Sequence, residues 1–266
     1  MPERQIKSPS YRRNRLILLG ASNLTLSRRL VISLMQQHLG GPSEVMIAAG
    51  HGRAYSISSQ VLLRGIPGIA ESELWLQLEK LECCSTYALL TDIGNDILFG
   101  VPPEKILRSV EWCVARLQKQ SAQIVVTNLP IASIEQLTER SYMFFRNLFY
   151  PFCKLRRAEM LCRVQGVYTG LLAMADRLHF KLCEQHPTWF GSDGIHVNYW
   201  QREAFYRTLL EQFSVSDPVK FVEERGDFLL AWQQRPKFFY KTILGYAIST
   251  PQPSGRLMNG STVSQY

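Results

Sequence analysis

Short apolar runs alternate along the chain with longer stretches in which apolar residues recur at helical spacing. Apolar runs that stop at a glycine or a turn residue are typical of buried strands. They predict strands at 15–19, 44–49, 87–91, 123–127 and 180–183. Apolar residues three or four positions apart, such as Leu26, Leu30 and Leu34, are typical of amphipathic helices. They predict helices over 25–38, 71–81, 104–119, 135–175 and 200–213.

This alternation predicts an α/β fold. Strands separated by helices pair in parallel, and the helices cover both faces of the sheet. We therefore expect a three-layer α/β/α sandwich with a mostly parallel central sheet. Ligands of such sheets bind beyond the carboxyl ends of the strands, so the residues that follow each predicted strand are the candidates for function.

The end of the chain has a different composition. Residues 249–266 are polar and contain Pro251, Pro253, Gly255 and Gly260, a pattern that predicts a disordered tail. We expect one folded domain over 12–248, with a helical extension after about residue 214.

The composition is that of a globular protein, with 46% hydrophobic and 20% charged residues. Residues 1–15 are polar and basic, and no apolar run approaches the ~18 residues of a membrane span. We therefore expect a cytoplasmic protein. The 6 cysteines include no Cys-x-x-Cys pair, which favours reduced and mostly buried thiols.

The chain is basic, with a formal net charge of +8. Its arginines cluster at Arg12, Arg13 and Arg15, at Arg28 and Arg29, and at Arg156 and Arg157. A solvated basic surface is the simpler interpretation, and attraction to an anionic membrane or a polyanionic substrate is the alternative. No nucleic-acid-binding module accompanies the charge, so we expect no nucleic-acid partner and at most a weak contact with an anionic membrane surface. The oligomeric state is left open.

Ser22 follows the first predicted strand, in a turn that starts at Gly20, and precedes a helix. A nucleophile at this place is exposed by the turn and lies in the positive potential of the helix N-terminus. The alternative is that Ser22, like Asn23 and Thr25, caps the helix. The stretch is not the nucleophile elbow of the α/β-hydrolases, because Leu24 occupies the place of the second glycine of that motif.

Asp193 and His196 are three positions apart in a predicted turn. This spacing lets the carboxylate accept a hydrogen bond from the imidazole Nδ1, which fixes the tautomer and stabilises the imidazolium. An ordinary surface turn is the alternative. His51 is a rival candidate for the base.

Two other strand ends carry candidate donors to an oxyanion. Asn95 follows the strand at 87–91 and offers a side-chain amide, and Gly52 follows the strand at 44–49 and offers a backbone N–H. The alternative for Asn95 is a loop asparagine that bonds only to its local backbone.

In combination, these blocks resemble the SGNH hydrolases, also called the GDSL family, over about residues 15–213. The family has a Ser block, a Gly block, an Asn block and an Asp-x-x-His block in that order, and they match Ser22, Gly52, Asn95, Asp193 and His196. The Asp-Gly-Ile-His-Val-Asn sequence from residue 193 is the closest match, and Gly52-Arg53 is similar to the Gly-Arg of the family's carbohydrate acetylesterases.

The resemblance implies a flavodoxin-like α/β/α fold and serine-dependent ester hydrolysis without a metal or other cofactor. Ser22 would be the nucleophile, His196 the base and Asp193 the residue that orients the base. The N–H groups of Ser22 and Gly52 and the amide of Asn95 would form the oxyanion hole. The expected partner is a small ester, either an acyl sugar or lipid-like. The alternatives are an O-acyltransferase that uses the same site and a non-catalytic binding protein on this scaffold.

Two positions depart from the family pattern. Ala21 stands where the first block usually has Asp, and Ile93 stands where the third block usually has Gly. The first change removes a supporting side chain, and the second can tilt Asn95. Loss of one oxyanion donor raises a barrier by roughly 2.7–4 kcal/mol, so we expect the departures to affect efficiency more than the type of reaction.

The stretch 142–157 is aromatic and basic, as is 237–241. These segments are either a lid for lipid-like substrates or elements that pack on the core.

Overall fold

The computed structural model describes residues 14–61, 63–215 and 231–266. Its strands are β1 (Asn14–Gly20), β2 (Ser43–Ala49), β3 (Ser59–Val61), β4 (Arg64–Ile66), β5 (Thr86–Leu90), β6 (Gln123–Thr127), β7 (Lys181–Cys183), β8 (Trp232–Gln234), β9 (Tyr240–Ile243), β10 (Tyr246–Ser249), β11 (Gly255–Leu257) and β12 (Thr262–Gln265). Its α-helices are α1 (Ser22–Leu39), α2 (Leu74–Leu78), α3 (Asn95–Leu98), α4 (Pro103–Gln118), α5 (Ile131–Glu135), α6 (Glu139–Phe149), α7 (Arg157–Leu178) and α8 (Arg202–Leu210).

The main sheet has the strand order β7-β6-β5-β1-β2-β12-β11-β8. All pairs from β7 to β12 are parallel, and β11 is antiparallel to both of its neighbours. A second, antiparallel sheet has the order β10-β9-β4-β3. The mostly parallel main sheet confirms the predicted fold class.

The core lies on both faces of the main sheet because successive residues of a strand point to opposite faces. In β1, Leu16 and Leu18 pack with the buried residues of α1 and α8, whereas Ile17 and Leu19 pack with those of α4 and α7. Helices therefore cover both faces, as in a three-layer sandwich. β1 is central and pairs with β5 on one side and β2 on the other, so the carboxyl ends of these three strands lie together.

The end of the chain is not the disordered tail that its composition predicts. β11 and β12 fall within 249–266, and β12 adds to the main sheet beside β2, in register from Thr262 with Glu44 to Gln265 with Ile47. Val263 is fully buried. The composition was misleading because polar side chains of this segment form hydrogen bonds with distant parts of the chain. For example, Gln36 Nε2 donates to Ser261 Oγ at 2.9 Å. The expectation of a helical extension after residue 214 is also wrong where it can be compared, since β8, β9 and β10 are strands. Residues 216–230 lie outside the described residues.

Other predicted elements differ mainly in their bounds. The long helical stretch at 135–175 is divided among α5, α6 and α7. The start of α6 is fixed by Thr138, whose Oγ1 accepts from the Ser141 N–H at 3.2 Å. The β3–β4 hairpin was not predicted. All cysteines are free thiols, but only Cys113 and Cys153 are buried, so the expectation that most are buried is wrong.

Candidate active site

Ser22 is the first residue of α1, directly after the turn that ends β1. Its Oγ lies 2.8 Å from His196 Nε2, although 174 positions separate the two residues. The helix cap is Ala21, which has no side-chain oxygen, so Ser22 does not act as the capping residue. The hydroxyl is directed to the imidazole, while the backbone N–H of Ser22 lies at the N-terminus of a long helix, where the potential is positive.

Asp193 and His196 share one turn. Asp193 Oδ2 lies 2.6 Å from His196 Nδ1, and Asp193 Oδ1 accepts from the backbone N–H groups of Ile195 at 3.1 Å and His196 at 2.9 Å. Gly194 makes this turn possible with a φ of 74°, a value that side chains disfavour. Ser22, His196 and Asp193 therefore form one continuous chain of hydrogen bonds.

The two titratable groups of this chain shift each other's pKa. Burial alone would lower the pKa of His196, but the hydrogen bond and charge of Asp193, with the charge of Asp92, outweigh it and raise that pKa. Burial alone would raise the pKa of Asp193, but the hydrogen bonds from His196 and from the turn outweigh it and lower that pKa. Asp193 is thus an ionised partner that favours the protonated imidazole.

Asn23 joins the serine turn to the histidine turn. Its Nδ2 donates to the carbonyl of Ile195 at 2.9 Å, and its Oδ1 accepts from the Val197 N–H at 2.9 Å. Both sides of the amide are therefore used to hold the backbone around His196. The sequence had indicated Asn23 only as an alternative cap; this role depends on a contact across 172 positions.

Asp92 supports the serine turn from the neighbouring strand. It follows β5 with a φ of 60°, and its Oδ2 accepts from Ala21 N at 2.7 Å and from Leu24 N at 3.3 Å. Its Oδ1 accepts from Asn23 Nδ2 at 2.8 Å. A carboxylate thus reaches the first turn of α1 from another segment, beside the position where Ala21 replaces the usual Asp. Sequence reasoning missed Asp92, and its place directly after the strand predicted at 87–91 was an available signal.

Gly52 lies in the turn after β2 with a φ of 64°. A Cβ at this position would lie 2.4 Å from Val61 Cγ2, so only glycine fits without a shift. The next residue, Arg53, is fully buried; its Nε donates to the Pro67 carbonyl at 3.0 Å, and its Nη1 donates to the Tyr266 carbonyl. Burial lowers the pKa of Arg53 to about 9. Tyr266, the residue that follows β12, therefore helps to hold the glycine turn.

Asp96 fixes the segment that follows Arg53. It is fully buried, and its carboxylate accepts from the N–H groups of Tyr55 at 2.7 Å and Ser56 at 2.8 Å and from the Ser56 hydroxyl. Burial raises the pKa of Asp96, and these hydrogen bonds act against that rise. The Asn95-Asp96 pair thus ties the β5 end to the Gly52 loop.

The amide of Asn95 is oriented by two partners. Its Nδ2 donates to the Arg53 carbonyl at 3.1 Å, and its Oδ1 accepts from the Tyr150 hydroxyl at 3.0 Å. Burial raises the pKa of Tyr150, so this phenol is a proton donor at neutral pH. Asn95 therefore contacts more than its local backbone. Ile93, the second departure from the family pattern, is buried in the core and leaves Asn95 beside the Gly52 loop.

A pocket with a volume of about 100 Å³ opens beside Ser22. Its polar wall includes Ser22, Asn95 and Asp193. The rest of its lining is mainly apolar and aromatic: Ile93, Ile97, Leu98, Leu129, Ile134, Leu137, Tyr142, Phe145, Phe149, Tyr150, Met160, Val164, Phe190 and Ile195. An apolar pocket with a few convergent polar groups is the usual form of a small-molecule site.

His51 is in the turn beside Gly52 and is exposed. Its pKa is lowered by burial of part of the ring and by the charges of Arg64 and His196. His196, and not His51, bonds to the serine hydroxyl.

Comparisons with known proteins show the fold. No family model matches the chain, and no curated protein matches it in sequence. An aryl esterase from M. smegmatis is similar in structure, with a TM-score of 0.52, 17% identity, and 74% of this chain and 97% of that chain covered. A carbohydrate acetylesterase from Sinorhizobium meliloti is similar with a TM-score of 0.53, 14% identity, and 74% and 97% covered. This likeness confirms the predicted α/β/α fold with a mostly parallel central sheet. Among the residues described above, no helix combines the length and the hydropathy of a membrane span.

Proposed function

We propose that this chain, which shares its fold with an aryl esterase and a carbohydrate acetylesterase, hydrolyses carboxylic esters through Ser22. One observation carries the proposal. Ser22, His196 and Asp193 are linked by hydrogen bonds of 2.8 and 2.6 Å, and Ser22 and Asp193 line a mainly apolar pocket. A hydroxyl bonded to an imidazole that is itself oriented by a carboxylate is the arrangement of an activated nucleophile.

In the first half of the reaction, Ser22 Oγ attacks the ester carbonyl carbon. Its proton passes to His196 Nε2, and the imidazolium is stabilised by Asp193 across the 2.6 Å contact. The C–O bond of the ester then breaks, and Nε2 gives its proton to the departing alcohol. In the second half, a water molecule loses a proton to the same nitrogen and attacks the acyl-enzyme, which releases the acid and restores Ser22. General acid–base transfer of this kind contributes typically 10²–10⁴-fold to a rate.

The oxyanion is held by the Ser22 N–H, the Gly52 N–H and one N–H of Asn95. The carbonyl of Arg53 takes the other N–H of Asn95, and the Tyr150 hydroxyl holds its Oδ1, so the donor is fixed before substrate binds. Such preorganised donors stabilise the charge that develops in the transition state without a reorganisation cost.

A direct test uses Ser22→Ala, with Ser33→Ala as the matched control farther along α1. We expect Ser22→Ala to lower kcat for a soluble aryl acetate by about 10⁴- to 10⁶-fold and to abolish labelling by a fluorophosphonate. Ser33→Ala should behave as the parent protein does.

Full activity of Ser22→Ala would refute the proposal. Absence of both hydrolysis and labelling in the parent protein would favour a binding protein on this scaffold. Product analysis with added alcohols would separate a hydrolase from an acyltransferase, since a transferase gives mainly a new ester.

A further inference from the structure

Helix α6 has a large apolar surface that faces away from the protein. Of its residues, only Tyr142 is buried, and Met143, Phe144 and Leu148 are exposed. Phe152, just beyond the helix, is 93% exposed. Exposed apolar surface of this extent marks an interaction site in most globular proteins.

A second exposed aromatic group directly follows the histidine turn in the chain. Tyr199 is 68% exposed and Trp200 is 84% exposed, three and four positions after His196. The ring of Phe149, at the end of α6, contacts the His196 ring with centroids 5.4 Å apart. Both groups therefore border the candidate active site. We call Met143, Phe144, Leu148, Phe152, Tyr199 and Trp200 the apolar rim.

The inner face of α6 is apolar as well. Tyr142, Phe145 and Phe149 line the pocket that contains Ser22. The polar residues Glu139, Arg140, Arg146 and Asn147 share one side of α6, and Phe144 and Leu148 widen its apolar side beyond the part that lines the pocket. The part of the rim on α6 thus adjoins the pocket wall, because both belong to the same short helix.

The charges around the rim are mostly positive. Arg140, Lys154 and Arg156 are exposed, and the Arg202 guanidinium lies 5.4 Å from the centroid of the Tyr199 ring. Among the nearby acids, Glu159 pairs with Arg163 and Glu203 pairs with Arg207, each at 2.8 Å, whereas Glu135 and Glu139 are exposed carboxylates. Aromatic and aliphatic side chains with basic residues at their edge suit the interface of an anionic bilayer.

We propose that the apolar rim docks on an anionic lipid surface and that the pocket behind it takes the acyl chain of an ester presented there. The second part rests on the proposed ester hydrolysis. A lipid surface fits better than a second copy of this chain, because a symmetric pair would bring the same basic residues together across the interface. It also fits the pocket, since esters with a long apolar chain reside in lipid assemblies rather than in water.

Docking is tested by co-sedimentation with vesicles of phosphatidylcholine alone and of phosphatidylcholine mixed with phosphatidylglycerol. The parent for this test is Ser22→Ala, so that no lipid ester is consumed. We expect binding to the mixed vesicles at low salt, weaker binding at high salt, and little binding to phosphatidylcholine alone.

The rim variant adds Phe144→Ser, Phe152→Ser and Trp200→Ser, none of which lines the pocket. We expect it to lose at least about tenfold in vesicle affinity, which corresponds to 1.4 kcal/mol. A control variant with Leu76→Ser and Leu172→Ser, two exposed leucines on α2 and α7, should bind as the parent does. In the Ser22 background, the rim variant should keep its activity on a soluble aryl acetate, which also shows that it is folded.

Equal vesicle binding of the rim variant and its parent would overturn docking, as would no binding to mixed vesicles at low salt. A dimer in sedimentation velocity that the rim variant disrupts, without vesicle binding, would assign the rim to a second copy of the chain instead.

The acyl pocket is tested with aryl esters of increasing acyl length, at monomeric concentrations in water. We expect kcat/KM to rise about fourfold per methylene until the pocket is filled. Leu98→Phe adds volume to the pocket wall, so we expect kcat/KM to fall more for the longer esters than for the acetate and its rise with chain length to flatten. Hydrolysis that depends on Ser22 but does not rise with chain length would refute the acyl pocket and leave ester hydrolysis standing. Vesicle binding by Ser22→Ala does not depend on the acyl pocket or on ester hydrolysis, so it tests docking separately.

Discussion

The two walls of the candidate active site are built differently. The nucleophile wall consists of Ser22, Asn23, Asp92, Asp193 and His196, in turns that are partly open to solvent and joined by side-chain hydrogen bonds. The oxyanion wall consists of Gly52, Arg53, Asn95 and Asp96, and its two charged members are fully buried.

This difference follows from what each wall must do. A nucleophile and its base exchange protons with substrate and water, so their side chains must be reachable. An oxyanion donor must instead point in a fixed direction. This requires a rigid backbone, which is held in place by buried side chains that bond to it. Substitutions in the nucleophile wall should therefore lower the rate with little effect on folding, whereas those beneath the oxyanion wall should also lower the stability of the fold.

Among the substitutions below in the two walls and their supports, Asp193→Asn should have the largest effect on activity. The amide would favour the imidazole tautomer that carries its proton on Nε2, so Ser22 would lose its base, and we expect kcat to fall about 10⁴-fold. Thermal unfolding should change little. A stability loss large enough to explain the drop in activity would contradict the contrast between the two walls.

The same variant predicts a pH effect. His196 must be neutral to accept the serine proton, so kcat/KM falls as the pH drops through the pKa of His196. Burial lowers that pKa, but Asp193 and Asp92 together raise it above its usual value. Removal of the Asp193 charge should therefore move the acidic limb of the residual activity to lower pH. A limb that stays in place would mean that another group controls it.

Asn95→Ala should lower kcat by about 10²–10³-fold, because one oxyanion donor is lost. KM should change less, since the donor acts mainly on the transition state. Tyr150→Phe is the comparison: it keeps the amide but removes the hydroxyl that donates to Asn95 Oδ1 at 3.0 Å, so a smaller loss is expected. An equal fall in kcat in both variants would mean that Asn95 acts by holding the surrounding loop in position and not by donating a hydrogen bond to the oxyanion.

Asp96→Asn should destabilise the fold by about 1–3 kcal/mol, measured by denaturant unfolding. The amide would place its own N–H groups against one of the Tyr55 or Ser56 donors, in a site that water does not reach. The matched variant is Asp92→Asn, which makes the same change in the partly exposed serine turn. Water can replace the lost partner there, so we expect less than about 0.5 kcal/mol of destabilisation.

In contrast, Asp92→Asn should affect catalysis. The carboxylate accepts from Ala21 N and Leu24 N, and its charge helps to raise the pKa of His196. We expect a modest fall in kcat and a small shift of the acidic limb to lower pH. Equal stability losses in the two variants would mean that the walls do not differ in the way proposed here.

The oxyanion wall was only partly predictable from sequence. Gly52 and Asn95 follow predicted strands and could be found, because polar or glycine residues at strand ends have a local signature. The supports could not be found in this way. Arg53 bonds to Pro67 and to Tyr266, and β12 enters the sheet beside β2 from a segment whose composition predicted disorder.

The apolar rim also could not be predicted fully from the sequence. The aromatic stretch at 142–157 was visible, but sequence could not decide between a lid and packed helices. Tyr142 packs in the core, whereas Phe144 and Phe152 are exposed, and periodicity alone does not say which side of a helix meets the protein.

The sequence by itself determined the order of the strands and helices in the first part of the chain and the chemical types at the strand ends, because both depend on neighbours a few positions apart. The tertiary structure decided which distant groups meet: serine with histidine, Asp92 with the start of α1, and the residue after the C-terminal strand with Arg53. Such contacts depend on hydrogen bonds and burial between segments that are far apart in the chain. A local pattern of residues therefore does not predict them.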